Sequence, residues 1–511
     1  MSKVFRASLL LAFFFAIDKV MGLLRQVLVA RQFGLTYDID VFNAANNIPD
    51  LLSALISGGA LGVALIPVLS EYLEKQGRPE AWKLFARIVN LAFLVTGALA
   101  IIIIALAEPM VRYVIAPGFP EAQKLLTIDL MRLDLLAIMI FSISGLIMAG
   151  LQANQHFLLP AMAPVLYNLG QIFGILILAP EVGKQIGPIT LPGFGFGIRG
   201  LVFGVIIGSI LHLCIQIPGL IKYQARWVPG LGLGTLGVQK VLALLGPRVI
   251  TMFFIQAYFV ARDNLASRIG EGSVSALNYG WFIMQVPETL IGTAIAIVLL
   301  PTISEYFARS EMDQFKTTVN RALRVLIALT VPVAALLATG LAPVVGVLGF
   351  DEAGTARVVL ATQAYLIGLL GHALLEIAAR SFYAQQNAKT PLLAAAIMLV
   401  CFLGFAVLYS RLWGFVGIAL ANVTAFTLEA LLLLYMLNRK LPGITRVWDI
   451  IPRVCGGAIV GAIIVYALLN YVPFHPSGRL LNALWGVAVL GAGGCAVLPF
   501  IWKEIKTLVR L

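Results

Sequence analysis

The amino-acid sequence predicts an all-α polytopic membrane protein with about 14 transmembrane helices: two parallel six-helix lobes followed by two C-terminal helices. Three observations carry this prediction. The 511 residues are 60% hydrophobic and only 12% charged, with a mean hydropathy of +0.96, a balance that soluble globular domains of this size do not show. Apolar runs of about 20 residues, enough to cross a bilayer, recur from end to end. Several motifs also occur twice at a nearly constant separation.

Fourteen runs can be delimited, near 8–33, 39–67, 84–107, 125–150, 158–179, 198–221, 239–266, 273–303, 318–340, 356–384, 391–410, 413–437, 450–471 and 480–501. The first has the look of a signal peptide, with Lys3 and Arg6 ahead of "LLLAFFFAI". Asp18-Lys19 follow at once, no small-residue cleavage site is evident and the apolar pattern resumes through Val29, so it reads as an uncleaved span. The second opens with Asp40 and holds Asn43, Asn46, Asn47, Pro49 and Asp50 in an otherwise apolar run. In the fourth, Arg132 between Asp129 and Asp134 reads as a structural ion pair. The Gly/Pro-rich loop 180–197 separates the fifth from the sixth; its "GFGFG" has no Lys-Ser/Thr after it and is no ATP-type phosphate loop. The seventh carries Arg248, Arg262 and Asp263, with Arg268 just beyond, and the eighth Asn278, Gln285, Pro287 and Glu288. Neighbouring helices re-satisfy the backbone at intramembrane Gly and Pro, so 48 Gly and 24 Pro are compatible with this plan.

The repeats group these runs. "PVLSEYLEKQGRPEAWKLFARIVN" at Pro67 is echoed by "PTISEYFARSEMDQFKTTVNRALR" at Pro301, "LQANQ" at Leu151 by "AQQNA" at Ala384, and "IRGLVFG" at Ile198 by "FVGIALA" at Phe415. An N-terminal lobe over 1–222, a cytoplasmic linker 223–238 and a C-terminal lobe over 239–440 follow, with 441–511 outside the repeat. An even number of spans per copy makes the repeats parallel, and in transporters built this way the substrate site lies at the repeat interface.

The net charge of +12 does not mark a nucleic-acid binder. With the N-terminus inside, cytoplasmic segments hold 22 of the 36 Lys and Arg and outer loops nine, so both termini are expected in the cytoplasm. Cys214, Cys401, Cys455 and Cys495 stand singly in apolar runs, and the four His are equally dispersed, so neither disulfide nor metal is expected. No cofactor is expected either.

Charges within spans need a reason, since one at the bilayer centre costs roughly 2.5–3.5 kcal/mol even on insertion scales. On the first helix Asp18, Arg25 and Gln32 share one face, which Lys19 widens, while Arg31 lies off it. Lys19, Arg25, Arg248 and Arg262, with Asn47 and Asp50, are therefore the expected substrate-binding residues. Asp18, Asp40, Arg31 and Arg268 are expected to gate or balance charge. A cavity with surplus cations suits an anion; guanidinium groups grip phosphate bidentately, which points to a diphosphate.

"DKVMGLLRQVLVARQFG", "DVFNAANNIPDLL", "GALGVALIPVLSEY", "APGF", "FLLPAMAPVLYN", "GSVSALNYGWFIMQVPETLIG" and "LLPTISEYF" resemble the MurJ (MviN) lipid II flippases of the MOP exporter superfamily, from about residue 5 to 440. The resemblance implies export of undecaprenyl-diphosphate-linked peptidoglycan precursor (lipid II) from the inner to the outer leaflet of the bacterial cytoplasmic membrane by alternating access. It implies a groove for the lipid tail at the last two helices, and as partners lipid II, membrane lipids and the cell-wall synthesis machinery. Lys19 and Arg25 stand at family basic positions and Asp40 at an acidic one. The family's arginine pair after Pro49 is replaced by Ser53-Ala54, its Asp-Arg in span eight by Trp281-Phe282, and its Glu before the proline by Gln285. Arg248 and Arg262 are expected to take over part of the anion binding. The alternatives are a flippase for another polyprenyl-linked oligosaccharide, a MATE-like antiporter, and a non-transporting scaffold of envelope assembly.

Overall fold

The computed structural model describes residues 3–56, 60–186, 189–472, 474 and 478–508, with the side chains of 3–12, 15, 55, 56, 60, 63, 184, 186, 189, 247, 248, 251 and 508 outside the described set. The helices are α1 (Lys3–Phe33), α2 (Tyr37–Ile56), α3 (Ala60–Lys75), α4 (Arg78–Pro109), α5 (Glu121–Ala153), α6 (Leu158–Phe173), α7 (Ile198–Cys214), α8 (Ile217–Lys222) and α9 (Leu236–Ala266). They continue as α10 (Ser273–Glu288), α11 (Ala294–Ala308), α12 (Met312–Gly340), α13 (Ala342–Val345), α14 (Glu352–Ile367), α15 (Leu369–Ala384), α16 (Lys389–Lys440), α17 (Ile451–Tyr471) and α18 (Arg479–Leu508). Two short antiparallel strands, β1 (Lys184–Ile186) and β2 (Ile189–Leu191), lie in the loop 180–197.

Among the described residues, all fourteen expected spans fall on helices. Among the described residues nine helical segments are long and apolar enough to cross a membrane, or ten if α14 and α15, bent by 43°, form one span. The runs 391–410 and 413–437 lie on α16, which is two helices joined across Trp413 (φ −130°) and Gly414 (φ 57°). α1, α2 and α9 fall outside that count; they carry most of the expected substrate-site residues.

The backbone repeats as the sequence does. Left-handed residues recur at matched places: Gly77 (φ 84°) and Ser310 (φ 60°), Gln155 (φ 59°) and Gln386 (φ 58°), Gly197 (φ 54°) and Gly414 (φ 57°). A further echo, "GFPEA" at 118–122 and "GFDEA" at 349–353, escaped the sequence reading; each leads into a helix beginning at its glutamate, Glu121 or Glu352.

The chain divides into two compact units, Met1–Arg268 and Ile269–Leu511. This boundary differs from the expected lobes, because α9, expected to open the C-terminal lobe, packs on α2 and α3 in the first unit. Its N-terminal end is held by a Lys240–Glu71 ion pair and by Gly237, where a Cβ would lie 2.5 Å from the Tyr72 hydroxyl. The segment 223–238 belongs to the same unit: Asn90 donates to the carbonyls of Val228 (2.8 Å) and Gly230 (3.0 Å), and Trp227 Nε1 donates to Asn90.

Inside the first unit α6 and α7 meet along a glycine seam. A Cβ on Gly170 would lie 2.4 Å from the Gly208 Cα and one on Gly174 2.7 Å from the Gly204 Cα, the close approach that small residues four apart permit between membrane helices. In the second unit Phe315, Leu326, Ile377, Phe382 and Leu433 belong to one buried core. α17 and α18 pack on α12 there, with Gly461 and Gly493 against Leu336.

Candidate functional site

The polar residues of the first unit fall into two groups with different surroundings. In the first, α1, α2, α5 and α6 bring charge together. Asp18 accepts a hydrogen bond from Asn168 Nδ2 at 2.9 Å, while the next side chain, Lys19, is exposed and Arg25, two turns on, is half-buried. Arg25 acts electrostatically on Asp50 of α2 and on the Tyr167 ring hydroxyl of α6. Asp50 in turn acts on Asp134 of α5, which is only 3% exposed. Asp50 itself remains open to solvent although it lies one residue beyond Pro49 within α2. Of the expected substrate-binding cations whose side chains are described, Lys19 is exposed and Arg25 is half-buried and coupled to Asp50.

The expected surplus of cations is corrected, however: among the described residues of this group Lys19 and Arg25 meet three carboxylates, Asp18, Asp50 and Asp134. Arg132, between Asp129 and Asp134, reads in the sequence as a structural ion pair. Instead Asp129 pairs with Arg199 at 3.1 Å and Asp134 turns into the unit. An acid thirteen residues beyond the start of α5 signals such a place only once its facing helix is known.

The second group is a buried clamp. Asp263 of α9 accepts from Arg262 Nε at 2.8 Å with one oxygen and from Asn47 Nδ2 at 2.9 Å with the other. The Arg262 guanidinium stacks 5.0 Å from the Phe259 ring centroid. Arg262 and Asp263 are 1% exposed and Asn47 6%. Expected as substrate-binding groups, Arg262 and Asn47 are thus spent on joining α2 to α9 and do not reach open space. The side chain of Arg248 lies outside the described residues.

The expected gating residues also separate. Asp40 is fully buried in the first turn of α2, while Asp38 in the same turn is exposed. Arg31 is exposed. Arg268 is exposed and donates to Asn264 Oδ1 at 3.2 Å; beside it the "APGF" turn docks on the end of α9, since a Cβ on Gly118 would lie 2.4 Å from the Arg268 Cα.

A family model described as "Lipid II flippase MurJ" matches residues 29–481. The chain belongs to the MurJ lipid II flippase family. A MurJ relative, the lipid II flippase MurJ of Burkholderia cenocepacia, is 30% identical over 97% of this chain and 95% of its own length. Among solved structures, a lipid II flippase MurJ in an inward closed conformation superposes with a TM-score of 0.77 at 23% identity, covering 97% of this chain and 100% of the other. An inward-facing multidrug-resistance MATE transporter of the MOP superfamily gives 0.70 at 13% identity, over 84% of this chain and 96% of the other. The chain is accordingly a multi-pass membrane protein of transporter fold.

In span eight of this chain the side chain of Trp281 enters an aromatic cluster. Trp281 makes edge contacts with Tyr365 (5.5 Å) and His372 (5.4 Å), and His372 lies 4.5 Å from the Phe426 ring and hydrogen-bonds Asn422 at 3.0 Å. Aromatic packing fills the place where a charged pair was looked for.

Proposed function

We propose that this chain exports lipid II across the bacterial cytoplasmic membrane by alternating access, with Lys19 and Arg25 gripping the diphosphate and Asp50 as the counter-ion that Arg25 keeps while the site is empty. The observation that carries the reading is the accessible Lys19–Arg25–Asp50 group on α1 and α2 in a chain of the MurJ family. A guanidinium offers two parallel N–H donors to phosphate, and Lys19 adds a flexible point charge. An incoming diphosphate displaces Asp50 from Arg25, so one arginine is never left unneutralised in the membrane. Arg262 and Asn47 serve the site indirectly, by fixing α9 on α2.

Two negative charges moving outward gain roughly 2.3 kcal/mol each per 100 mV of membrane potential. The predominance of Lys and Arg in the expected cytoplasmic segments supports both termini inside. The exposed apolar side chains of α17 and α18, Ile459, Ile463, Leu484 and Val487 among them, suit the lipid tail, and the cell-wall synthesis machinery is the natural recipient of the product.

The deciding experiment is complementation of a bacterium depleted of its lipid II flippase, with membrane insertion checked by immunoblot. Growth is expected; lysis despite stable, inserted protein rejects the proposal. A second reading, cation antiport, is favoured by the intramembrane acids Asp50 and Asp134, and drug efflux without complementation would select it.

A further inference from the structure

The second unit holds a group of charges that the lipid II reading does not use. Glu288 follows Pro287 at the end of α10, where the chain enters a π-helical turn, Thr289–Thr293. Its carboxylate accepts from the Thr293 hydroxyl at 3.2 Å and the Thr289 hydroxyl at 3.5 Å. One carboxylate on the next helix partner, Glu376 of α15, pairs with Arg380 at 2.8 Å, and Arg380 also donates to the Thr293 carbonyl at 3.3 Å. Glu376 acts electrostatically on Glu288. Tyr383, one turn beyond Arg380, feels Glu376, Arg380 and Glu429 of α16 together.

Glu429 is the exceptional member. It is 7% exposed, yet among the described residues it has no hydrogen-bond donor and no ion-pair partner, whereas Glu288 has two hydroxyls and Glu376 has a guanidinium. Glu288 and Glu376 meet around Thr293 and Arg380, and Glu429 acts together with Glu376 and Arg380 on Tyr383, all on helices of membrane-spanning segments. An ionised carboxylate without donors is among the costliest groups to bury there, so a positive charge has to arrive from solution. A sodium ion needs five or six oxygens around it, and here Arg380 already occupies the space beside Glu376 and Thr293. A proton needs only the carboxylate.

We propose that Glu288, Glu376, Arg380 and Glu429 form an intramembrane proton-binding site in the second unit, with Glu429 as the carboxyl that takes up and releases the proton. The flanking groups are Tyr383 on α15, Glu288 on α10 and, two turns away along α16, the His372–Asn422 pair. The site goes beyond the cargo reading and does not depend on it.

The test labels the full-length protein in native membranes with the apolar carbodiimide dicyclohexylcarbodiimide, which modifies protonated carboxyls in apolar surroundings, and locates the adduct by mass spectrometry. Expected is an adduct at Glu429 at neutral pH, at least tenfold above Glu376, that fades as pH rises to 10 and is unchanged by 100 mM Na+ at fixed pH. Glu429→Gln should remove it. Absence of an adduct at Glu429 across pH 5 to 9, or protection by Na+, overturns the proposal, the latter assigning the site to sodium. The wild-type pH series decides the question even where the variant fails to insert.

Discussion

Position 212 in the first unit and position 429 in the second occupy the same place in the repeated backbone, both 15 residues beyond a left-handed glycine, Gly197 and Gly414. They are provided for quite differently. His212 is 2% exposed and fully engaged: its Nδ1 lies 2.6 Å from Ser144 Oγ, and Gln216 donates to that hydroxyl at 2.8 Å and to the His212 carbonyl at 2.8 Å. Glu429, equally buried, has no such neighbours among the described residues. Duplication therefore repeated the path of the chain and not its electrostatics. The first unit engages His212 with Ser144 and Gln216 and leaves Lys19 exposed and Arg25 half-buried, whereas the second buries Glu429 with no donor among the described residues.

This contrast can be broken most forcefully at Arg25. If the first unit alone carries the anion site, Arg25→Ala should lower lipid II flipping in proteoliposomes by ten- to a hundredfold, the loss of a charged hydrogen-bonded contact of about 1.5–3 kcal/mol, with an unchanged melting temperature; Arg25→Lys should recover part of it. Flipping at the wild-type rate in Arg25→Ala would move the site elsewhere.

Arg262 tests the opposite role. Removing one partner of a buried pair leaves an uncompensated charge and costs about 3–5 kcal/mol, so Arg262→Ala should fall sharply in thermal stability in detergent. Replacing Arg262 and Asp263 together by Met and Leu should restore most of it. A stable Arg262→Ala protein that has lost only transport would return Arg262 to the substrate.

A smaller effect is expected at the α6–α7 seam. Gly204→Ala places a Cβ 2.9 Å from the Gly174 Cα, and such overpacking costs about 1–3 kcal/mol, read as a lower melting temperature. Gly246→Ala, with open space around it, should leave that temperature unmoved.

The smallest concerns ion pairs outside the membrane-spanning segments. Hydrogen bonds from Lys240 and then Lys75 hold the Glu71 carboxyl below its ordinary value of 4.5, and Arg324 does the same for Asp449. A depressed folded-state value means that the contribution is complete above the ordinary value and fades as pH falls beneath it. Both groups are at the surface, so acidification from pH 6 to 4 should alter stability only slightly, and Glu71→Gln should remove part of that slope.

How much of this was readable beforehand differs between scaffold and site. The apolar helical runs and the tandem motifs were legible because hydropathy and motif spacing are local properties of the chain; the "GFPEA"/"GFDEA" echo was equally legible and overlooked. The Lys19–Arg25 face was legible too, since 100° per residue fixes which side chains share a stripe. The fate of Arg262 was not. Its sequence neighbour Asp263 hinted at neutralisation, but only the arrival of Asn47 from α2, 216 residues away, closed the clamp.

The sequence by itself determined a membrane protein of two related helical sets with a charged first helix, because the cost of exposing backbone or charge to lipid constrains each segment separately. The tertiary structure alone decided which charges are spent on one another, which remain open, and which, like Glu429, are buried without a donor. Those outcomes depend on what stands opposite each side chain, and no segment carries that information within itself.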